Sequence, residues 1–211
     1  LHATNPGNTA GFLALGCNTC HAAPLVLPSQ SLAVYEPFMK RFDAGDLAFI
    51  HIATIEMGIV SREGLGASDL THARFINTRK ETPARRVLDT LLAAEGIDPA
   101  RVNGYLQEVH GPPAVTAAVR NGYADAGIST SGLASASGLA FVPVAHENYE
   151  IAVRRDTLSD SRITRLMALI RSPAYYGLLE KIGGYSMART GTIRWLSAGL
   201  SLSDAPLPES R

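Results

Sequence analysis

The residues best suited to chemistry lie in the turn 77–86, where a predicted strand runs into a predicted helix. Thr82 is a favourable N-cap and Pro83 fits the first helical position, so the helix is expected to begin there and to end near Gly96. The first turn of a helix leaves backbone N–H groups without partners, and the helix dipole gives that end a partial positive charge. This turn is therefore a candidate anion-binding site.

Side chains around this turn add to the anion interpretation. Thr78, Arg79 and Thr82 supply hydrogen-bond donors, and the planar guanidinium of Arg85 suits a carboxylate or an oxyanion. Glu81 would repel an anion unless it points away. The alternative is that Thr82 only caps the helix and that the arginines are solvated. The site interpretation predicts that Arg85→Ala weakens ligand binding far more than it lowers the melting temperature.

Two other predicted helix starts carry polar side chains. Asn8 and Thr9 begin the first predicted helix, and the run Ser129, Thr130 and Ser131 follows the end of a predicted strand. Ligands of open α/β sheets lie beyond the carboxyl ends of the strands, so both starts are candidate ligand contacts. The alternatives are ordinary helix capping at the first start and a plain serine–threonine turn at the second.

Cys17, Cys20 and His21 form a C-x-x-C-H pattern, which is typical of c-type haem attachment. Haem would also need an exposed loop, a second axial ligand and an apolar pocket. The pair could instead form a strained disulfide, or bind a metal together with His21, with a fourth ligand supplied from elsewhere in the chain. Two structural cysteines are the simplest alternative, and we favour it.

The sequence lacks the motifs of common enzyme classes. It has no G-x-S-x-G elbow, no G-x-x-x-x-G-K phosphate loop and no H-E-x-x-H pair. The acidic residues Asp43, Asp46 and Glu56 are scattered, with no sign of pairing. We therefore expect a protein that is not an enzyme, with no catalytic residue, no metal and no cofactor.

The composition narrows the choice of partners. The chain has 211 residues, of which 46% are apolar, and Lys plus Arg equals Asp plus Glu at 19 each. A balanced charge argues against direct nucleic-acid binding, which needs a basic surplus. No apolar run reaches the length of a membrane span, and the N-terminus has no signal-peptide pattern.

Predicted strands alternate with predicted helices, which indicates an α/β fold with largely parallel sheets. The predicted strands are 22–27, 47–52, 57–60, 74–77, 102–109, 124–128, 139–144 and 149–153. The predicted helices are 10–15, 35–42, 83–95, 113–121, 129–137, 159–170 and 173–182.

An ordered set of segments carries a resemblance to a known family. The segments are 7–15, 75–77, 85–89, 96–100, 104–105, 114–127, 139–143, 147–149, 183–185 and 190–191. In this order they resemble the periplasmic-binding-protein-like domain, a type 2 solute-binding fold. Such domains are fused to some helix-turn-helix regulators and occur in some molybdopterin-biosynthesis proteins. The resemblance covers the chain from about Gly7 to Ile193.

The resemblance implies two α/β lobes, joined by two crossover strands, with a central ligand cleft between them. One lobe would comprise residues 1–53 and 146–211, and the other residues 54–145. Tyr149 would lie near the second crossover, which makes it a candidate ligand contact. The alternative is a core tyrosine whose hydroxyl bonds to the backbone.

The chain departs from the family pattern in three places. The family's first strand and helix have no counterpart here, since Leu1–Thr4 resembles the family's second strand. A Gly-Ser-Gly-Thr stretch of the family is replaced by residues 81–84, Glu-Thr-Pro-Ala, and a later Thr-His pair by Gly111-Pro112. These are pocket positions. Small carboxylates and other solutes are therefore candidate ligands, in addition to the molybdate- or tungstate-like oxyanions that the resemblance implies.

Together these observations predict a domain that binds a small anion or oxyanion and closes on it. It would be the sensor domain of a cytoplasmic transcriptional regulator, attached to a DNA-binding domain, or the solute receptor of a membrane ABC transporter, periplasmic or extracellular. The cytoplasmic sensor is favoured slightly. The alternative is a c-type haem or redox protein that uses Cys17, Cys20 and His21, which a Soret band would reveal.

Overall fold

The computed structural model describes residues 7–29, 31–197 and 201–204. The chain divides into two compact units: unit 1 is Leu1–Thr54, Asn148–Lys181 and Ser186–Arg211, and unit 2 is Ile55–Glu147 and Ile182–Tyr185. The chain thus crosses between units after residues 54, 147, 181 and 185, whereas the resemblance implied two crossings, after residues 53 and 145. The segment Leu1–Thr4, compared above with a family strand, lies outside the described residues.

Seven α-helices and nine strands form the described part of the chain. The helices are α1 (Asn8–Gly16), α2 (Glu36–Met39), α3 (Pro83–Ala94), α4 (Gly111–Arg120), α5 (Ser131–Ala136), α6 (Ser161–Ile170) and α7 (Pro173–Ile182). The strands are β1 (Ala22–Pro28), β2 (Leu47–Ser61), β3 (Phe75–Thr78), β4 (Glu108–Val109), β5 (Ala126–Thr130), β6 (Ala140–Arg154), β7 (Tyr185–Ser186), β8 (Ile193–Leu196) and β9 (Leu202–Ser203). Within the described residues, no helix is both long and apolar enough to cross a membrane.

Unit 1 has helices on both faces of its strands. Phe49 and Ile50 are consecutive residues of β2, so their side chains point to opposite faces. Phe49 packs in a cluster with Phe12 of α1 and with apolar residues of β1, whereas Ile50 packs in a second cluster with Ile163 of α6. Both clusters are buried, which gives the layered α/β core that the sequence predicts.

The strands β2 and β6 are each one continuous strand of 15 residues. The sequence pattern predicts each of them as two strands, with gaps at 53–56 and 145–148, where polar residues interrupt the apolar run. Thr54 and Asn148 are two such residues. Thr54 donates to Asn148 at 2.9 Å across the two strands, so these polar stretches are not turns.

In unit 2, β3 lies between β5 and β4 and is parallel to both, with Ile76 beside Gly127 and Asn77 beside Glu108. The largely parallel arrangement expected from the sequence holds for these three strands. It is wrong for β2, which pairs antiparallel with β5 and with β8. Apolar residues of α4 and α5 cover one face of this part, in a buried cluster that includes Val60 and Val115.

The predicted strand 102–109 is wrong except for its last two residues. Gly104 has a positive φ of 94° and turns the chain, and a β-carbon at this position would lie 2.0 Å from the carbonyl oxygen of Phe75. The segment follows β3 irregularly, since the Phe75 amide donates to Asn103 and the Asn77 amide donates to Gln107. Apolar residues in this segment therefore belong to a turn that packs on β3.

Candidate functional site

Three helices of unit 2 begin directly after three neighbouring parallel strands. β3 ends at Thr78, β4 at Val109 and β5 at Thr130, and they are followed by α3, α4 and α5. Because the carboxyl ends of parallel strands meet at one edge of a sheet, these helix starts share that edge. We call the turns 79–82, 110 and 130 the carboxyl edge of unit 2. It is the part of this unit where free helix amides come together.

The turn before α3 is held by threonine hydroxyls. Thr82 caps α3 as predicted: its Oγ1 accepts from the Arg85 amide at 3.3 Å and donates to the Arg79 carbonyl at 2.8 Å. Thr78 is buried, and its Oγ1 lies 2.6 Å from that of Thr82. With the Thr82 hydrogen given to Arg79, Thr78 is the donor of this bond. Both hydroxyls therefore shape the turn, whose exposed side chains are those of Arg79, Lys80 and Glu81.

Arg85 is directed into unit 2. Its side chain is only 5% exposed, and it donates to Asp89 Oδ1 at 3.1 Å and to Glu108 Oε1 at 3.3 Å. The guanidinium also stacks on Tyr105, whose hydroxyl donates to the same Asp89 oxygen at 2.7 Å. The carboxylates of Asp89 and Glu108 and the ring of Tyr105 thus contact the Arg85 guanidinium, which was predicted to bind an anion.

Arg86, the next residue, has a different environment. It donates to Glu147 Oε2, and its side chain is 20% exposed whereas that of Glu147 is 2% exposed. Burial raises the pKa of Glu147 to about 7, although the charge of Arg86 and its hydrogen bond act in the opposite direction. Neither Arg86 nor Glu147 was among the predicted contacts. The local signal was Asp89, four residues after Arg85, which pairs with Arg85 and leaves Arg86 to a distant carboxylate.

The run 129–131 lies at the end of β5 and the start of α5. Ser129 is fully buried within β5, and its hydroxyl lies 2.7 Å from that of Thr116. Thr130 is the N-cap of α5 and accepts from the Leu133 amide at 3.4 Å, so this helix begins at Ser131, two residues later than predicted. Both Thr130 and Ser131 are half-buried.

The start of α5 is packed closely against a glycine pair. A β-carbon at Gly132 would lie 2.7 Å from the carbonyl oxygen of Gly183, and one at Gly184 would lie 2.5 Å from the amide nitrogen of Gly132. These contacts place the backbone of residues 183–184 against the first turn of α5. The backbone amides left in the first turns of α3 and α4 are those of Ala84, Gly111 and Ala114, because Pro83, Pro112 and Pro113 have no N–H and the Arg85 amide bonds to Thr82.

The remaining predicted contacts belong to unit 1. Asn8 is buried, and its carboxamide bonds to both backbone groups of Val26, at 2.6 and 2.9 Å, and to the Tyr35 hydroxyl at 2.5 Å. It joins α1 to β1 rather than capping the helix, whose N-cap is Gly7. Thr9 and Tyr149 are half-buried.

Unit 1 also contains a buried polar cluster that the sequence analysis missed. His51 Nδ1 lies 3.0 Å from Glu150 Oε1, which also accepts from Arg194. His51 Nε2 lies 3.2 Å from Thr54 Oγ1, and Thr54 donates to Asn148 at 2.9 Å. Each side chain of this cluster forms a hydrogen bond with another one. Two of its atoms, Glu150 Oε2 and Arg194 Nε, have no hydrogen-bond partner among the described residues. A histidine and a glutamate inside two apolar strands were the available signal.

Cys17 and Cys20 lie in the connection between α1 and β1, and both are free thiols. Cys17 is exposed beyond the end of α1, whereas Cys20 is half-buried against the core of unit 1, and that burial raises its pKa. His21 is exposed. In the described ranges, no group of three or more His, Cys, Asp or Glu side chains is placed to hold a metal ion.

A surface cavity of about 290 Å³ lies at the other end of the parallel strands, beside Arg62, His72 and Asp125. Arg74 forms a two-point ion pair with Asp125, at 2.6 and 3.0 Å, and holds the pKa of that carboxyl below its usual range. Asp125 immediately precedes β5 and Arg74 immediately precedes β3. The cavity is therefore not at the carboxyl edge.

Comparison with known proteins gives one family and several related proteins. The profile of the PBP superfamily domain matches residues 1–171. The uncharacterised protein YvgK of Bacillus subtilis is 30% identical over an alignment of 165 residues, and the match covers 74% of this chain and 53% of YvgK. The chain thus spans about half the length of this relative.

Solved structures share the fold at low sequence identity. A putative phosphate ABC transporter substrate-binding protein from Clostridium perfringens, with bound phosphate, has a TM-score of 0.61 and 9% identity, covering 85% of this chain and 84% of its own. The regulatory domain of CcmR from Synechocystis PCC6803, in complex with 2-PG, has a TM-score of 0.57 and 10% identity, covering 78% of each chain. At these identities the likeness is one of fold.

Proposed function

Because the chain belongs to the PBP superfamily, we propose that it is a ligand-binding domain for a small anion. The observation that carries this proposal is the carboxyl edge of unit 2, where long helices begin after adjacent parallel strands. Their free amides and dipoles favour negative charge. Arg79, exposed in the turn before α3, adds a cation at the same place.

The set of proposed ligand contacts is smaller than the set predicted from the sequence. Arg85, Asn8 and Ser129 are used within their own units, so we do not retain them as ligand contacts. Thr78 and Thr82 support the turn through their hydroxyls. In the turn before α3, the Ala84 amide and the side chain of Arg79 remain. Thr130 and Ser131 are the other candidates retained in unit 2, whereas Thr9 and Tyr149, which belong to unit 1, stay predictions from the sequence.

Two solved relatives support a small anionic ligand. One is a phosphate ABC transporter substrate-binding protein with bound phosphate, and the other is a regulatory domain in complex with 2-PG. We propose that this chain serves in the same capacity, as the sensor of a regulator or as the receptor of a transporter. Binding of the full-length protein to DNA would favour the role of sensor domain in a regulator. Its association with a membrane transporter complex, and its release from that complex, would favour the role of transport receptor.

An affinity screen tests the anion proposal. Isothermal titration calorimetry would compare phosphate, sulfate, molybdate and acetate with glucose and choline as neutral and cationic controls. At least one anion is expected to bind, and Arg79→Ala is expected to weaken it about tenfold, as the loss of one charge-assisted hydrogen bond does. Arg101→Ala, which removes another exposed arginine of unit 2, is the matched control. Binding of glucose or choline in place of every anion would contradict the proposal.

Closure on the ligand is tested separately. The sequence-based expectation is that ligand binding favours a more compact state, to the extent of its differential affinity for that state. Small-angle X-ray scattering with and without the anion that binds should then show a smaller radius of gyration in its presence. An unchanged radius would remove closure from the proposal and would leave binding intact.

A further inference from the structure

The ion pair between Arg86 and Glu147 differs from the other ion pairs of unit 2. Glu147 is almost completely buried, whereas Asp89, Glu108 and Asp125 are between 29 and 42% exposed. A buried carboxylate loses its hydration and depends strongly on its cation. Removal of that cation leaves a charge that the surroundings do not stabilise. Glu147 is therefore in an environment where a proton can replace the cation.

Arg86 is close to the candidate anion site. It is the fourth residue of α3, and its amide bonds to the carbonyl of the N-cap Thr82. Its guanidinium is partly exposed, and a guanidinium binds carboxylates and oxyanions with two parallel hydrogen bonds. An anion at the start of α3 lies within the length of an arginine side chain from this residue.

We propose that Arg86 is an anion-binding residue of the α3 turn, and that an arriving anion takes Arg86 from Glu147 while Glu147 takes up a proton from solvent. This inference rests on the proposed anion-binding function and names a residue and a linkage within it. The charge balances, because the anion replaces the carboxylate as the partner of the guanidinium and the carboxylate becomes a neutral acid. No covalent bond other than that to the proton changes.

Of the charged groups near Arg86, Glu147 is the one that we expect to gain a proton when the anion binds. The other charged groups of α3 and β6 have partners of their own. Arg85 pairs with Asp89 and Glu108, His146 with Glu56 at 3.9 Å, Glu150 with His51 and Arg194, and Arg154 with Asp156. Among the described residues, Arg86 is the charged group that lowers the pKa of Glu147. With that pKa at about 7 in the anion-free protein, proton uptake falls in the neutral range.

The linkage has a defined sign and size. An acid that gains a proton on binding makes the affinity fall as pH rises. With a pKa of about 7 before binding and a much higher one after it, the affinity drops about tenfold between pH 6 and pH 8. Sulfate is a suitable probe, because it keeps one charge state over this range.

The experiment is calorimetric titration of sulfate into the wild-type protein and into Glu147→Gln and Arg86→Gln at pH 6 and pH 8. Wild type should bind about tenfold more tightly at pH 6 and should take up about one proton per sulfate at pH 8, measured in two buffers of different ionisation enthalpy. Glu147→Gln should bind equally at both pH values, at the wild-type level of pH 6. Arg86→Gln should bind at least tenfold more weakly at pH 6. Glu108→Gln is the matched control and should behave as wild type.

The outcomes separate this inference from the function on which it rests. Equal wild-type affinity at both pH values, or full affinity in Arg86→Gln, overturns the role of Arg86 and Glu147 and leaves anion binding standing. The absence of binding by sulfate, phosphate, molybdate and acetate in every variant overturns both. If Glu147→Gln does not fold, the proton count of the wild type decides, since a count near zero at pH 8 contradicts the linkage.

Discussion

The guanidinium carbon of Arg85 lies 4.0 Å from the centre of the Tyr105 ring. The Tyr105 hydroxyl and Arg85 Nε both donate to Asp89 Oδ1, so the three side chains form one closed group. Cation–π stacking and two carboxylate bonds fix the orientation of Arg85. These contacts make Arg85 a structural residue of unit 2, and the proposed anion site is the neighbouring turn 79–82.

Arg85→Met should lower the free energy of unfolding by about 2 kcal/mol. The change removes a nearly buried cation from two carboxylates that are partly exposed, which is less costly than loss of a partner by a fully buried charge. Urea denaturation measures the loss, and exposed Arg79→Met should change stability by less than about 0.5 kcal/mol. This expectation differs from that of the sequence analysis, in which Arg85→Ala mainly weakens binding. A stable Arg85→Met protein that no longer binds anions would contradict the structural role.

Glu150→Gln should destabilise unit 1 by about 3 kcal/mol or more. Glu150 accepts from both His51 and Arg194 while its own side chain is inaccessible to solvent, and the variant removes the charge that balances Arg194. Glu56→Gln is a matched control, since Glu56 is 38% exposed and 3.9 Å from His146. Guanidinium denaturation should show a large shift of the midpoint only for Glu150→Gln. Equal midpoints would mean that the buried cluster contributes nothing to stability.

Gly104→Ala and Gly177→Ala should have opposite effects. At Gly104 the φ is 94° and the new β-carbon would lie 2.0 Å from the Phe75 carbonyl oxygen, so a loss of more than about 2 kcal/mol is expected. At Gly177, inside α7, a β-carbon meets nothing within 4 Å, and alanine should stabilise the helix by about 1 kcal/mol. Thermal unfolding followed by circular dichroism measures both. A neutral Gly104→Ala would show that the turn after β3 can move.

The stability of the anion-free protein should fall as pH rises from about 4.5 to about 7. Glu147 has an ordinary pKa of 4.5 when unfolded and about 7 when folded, so the folded state binds the extra proton in this window. The stabilisation is complete below the lower value and is lost on passing the upper one. It amounts to at most about 3 kcal/mol. The difference between wild type and Glu147→Gln, measured by urea denaturation against pH, should show this fall. A flat difference would contradict a raised pKa of Glu147.

The limits of a helix depend largely on the residues at its ends, so the sequence alone predicts them well. Thr82, Pro83 and Gly96 marked the limits of α3, which runs from Pro83 to Ala94. The resemblance to the periplasmic-binding-protein-like domain is confirmed by the match of the PBP superfamily profile to residues 1–171. The α/β fold class is confirmed as well, by that match and by the solved relatives.

The details of the candidate site depend on contacts that are distant in sequence. Arg85 and Arg86 are adjacent and chemically identical. Asp89 is a nearby partner of Arg85, whereas Glu108, the other carboxylate partner of Arg85, and Glu147, the carboxylate partner of Arg86, are 23 and 61 residues away. His51 and Glu150 are 99 residues apart, and each lies inside a predicted strand, so neither residue indicates the other as its partner. A sequence shows which side chains can bond, whereas the tertiary structure decides which of them do.

The interrupted course of the chain through unit 1 affects how the protein is made. Residues 55–147 supply nearly all of unit 2 in one stretch, whereas unit 1 needs segments from both sides of it. On the ribosome, unit 2 can therefore complete most of its core while β1 still waits for its neighbouring strand β6 to be synthesised. During that interval the backbone groups of β1 that later pair with β6 form an open strand edge, at which the nascent chain can pair wrongly.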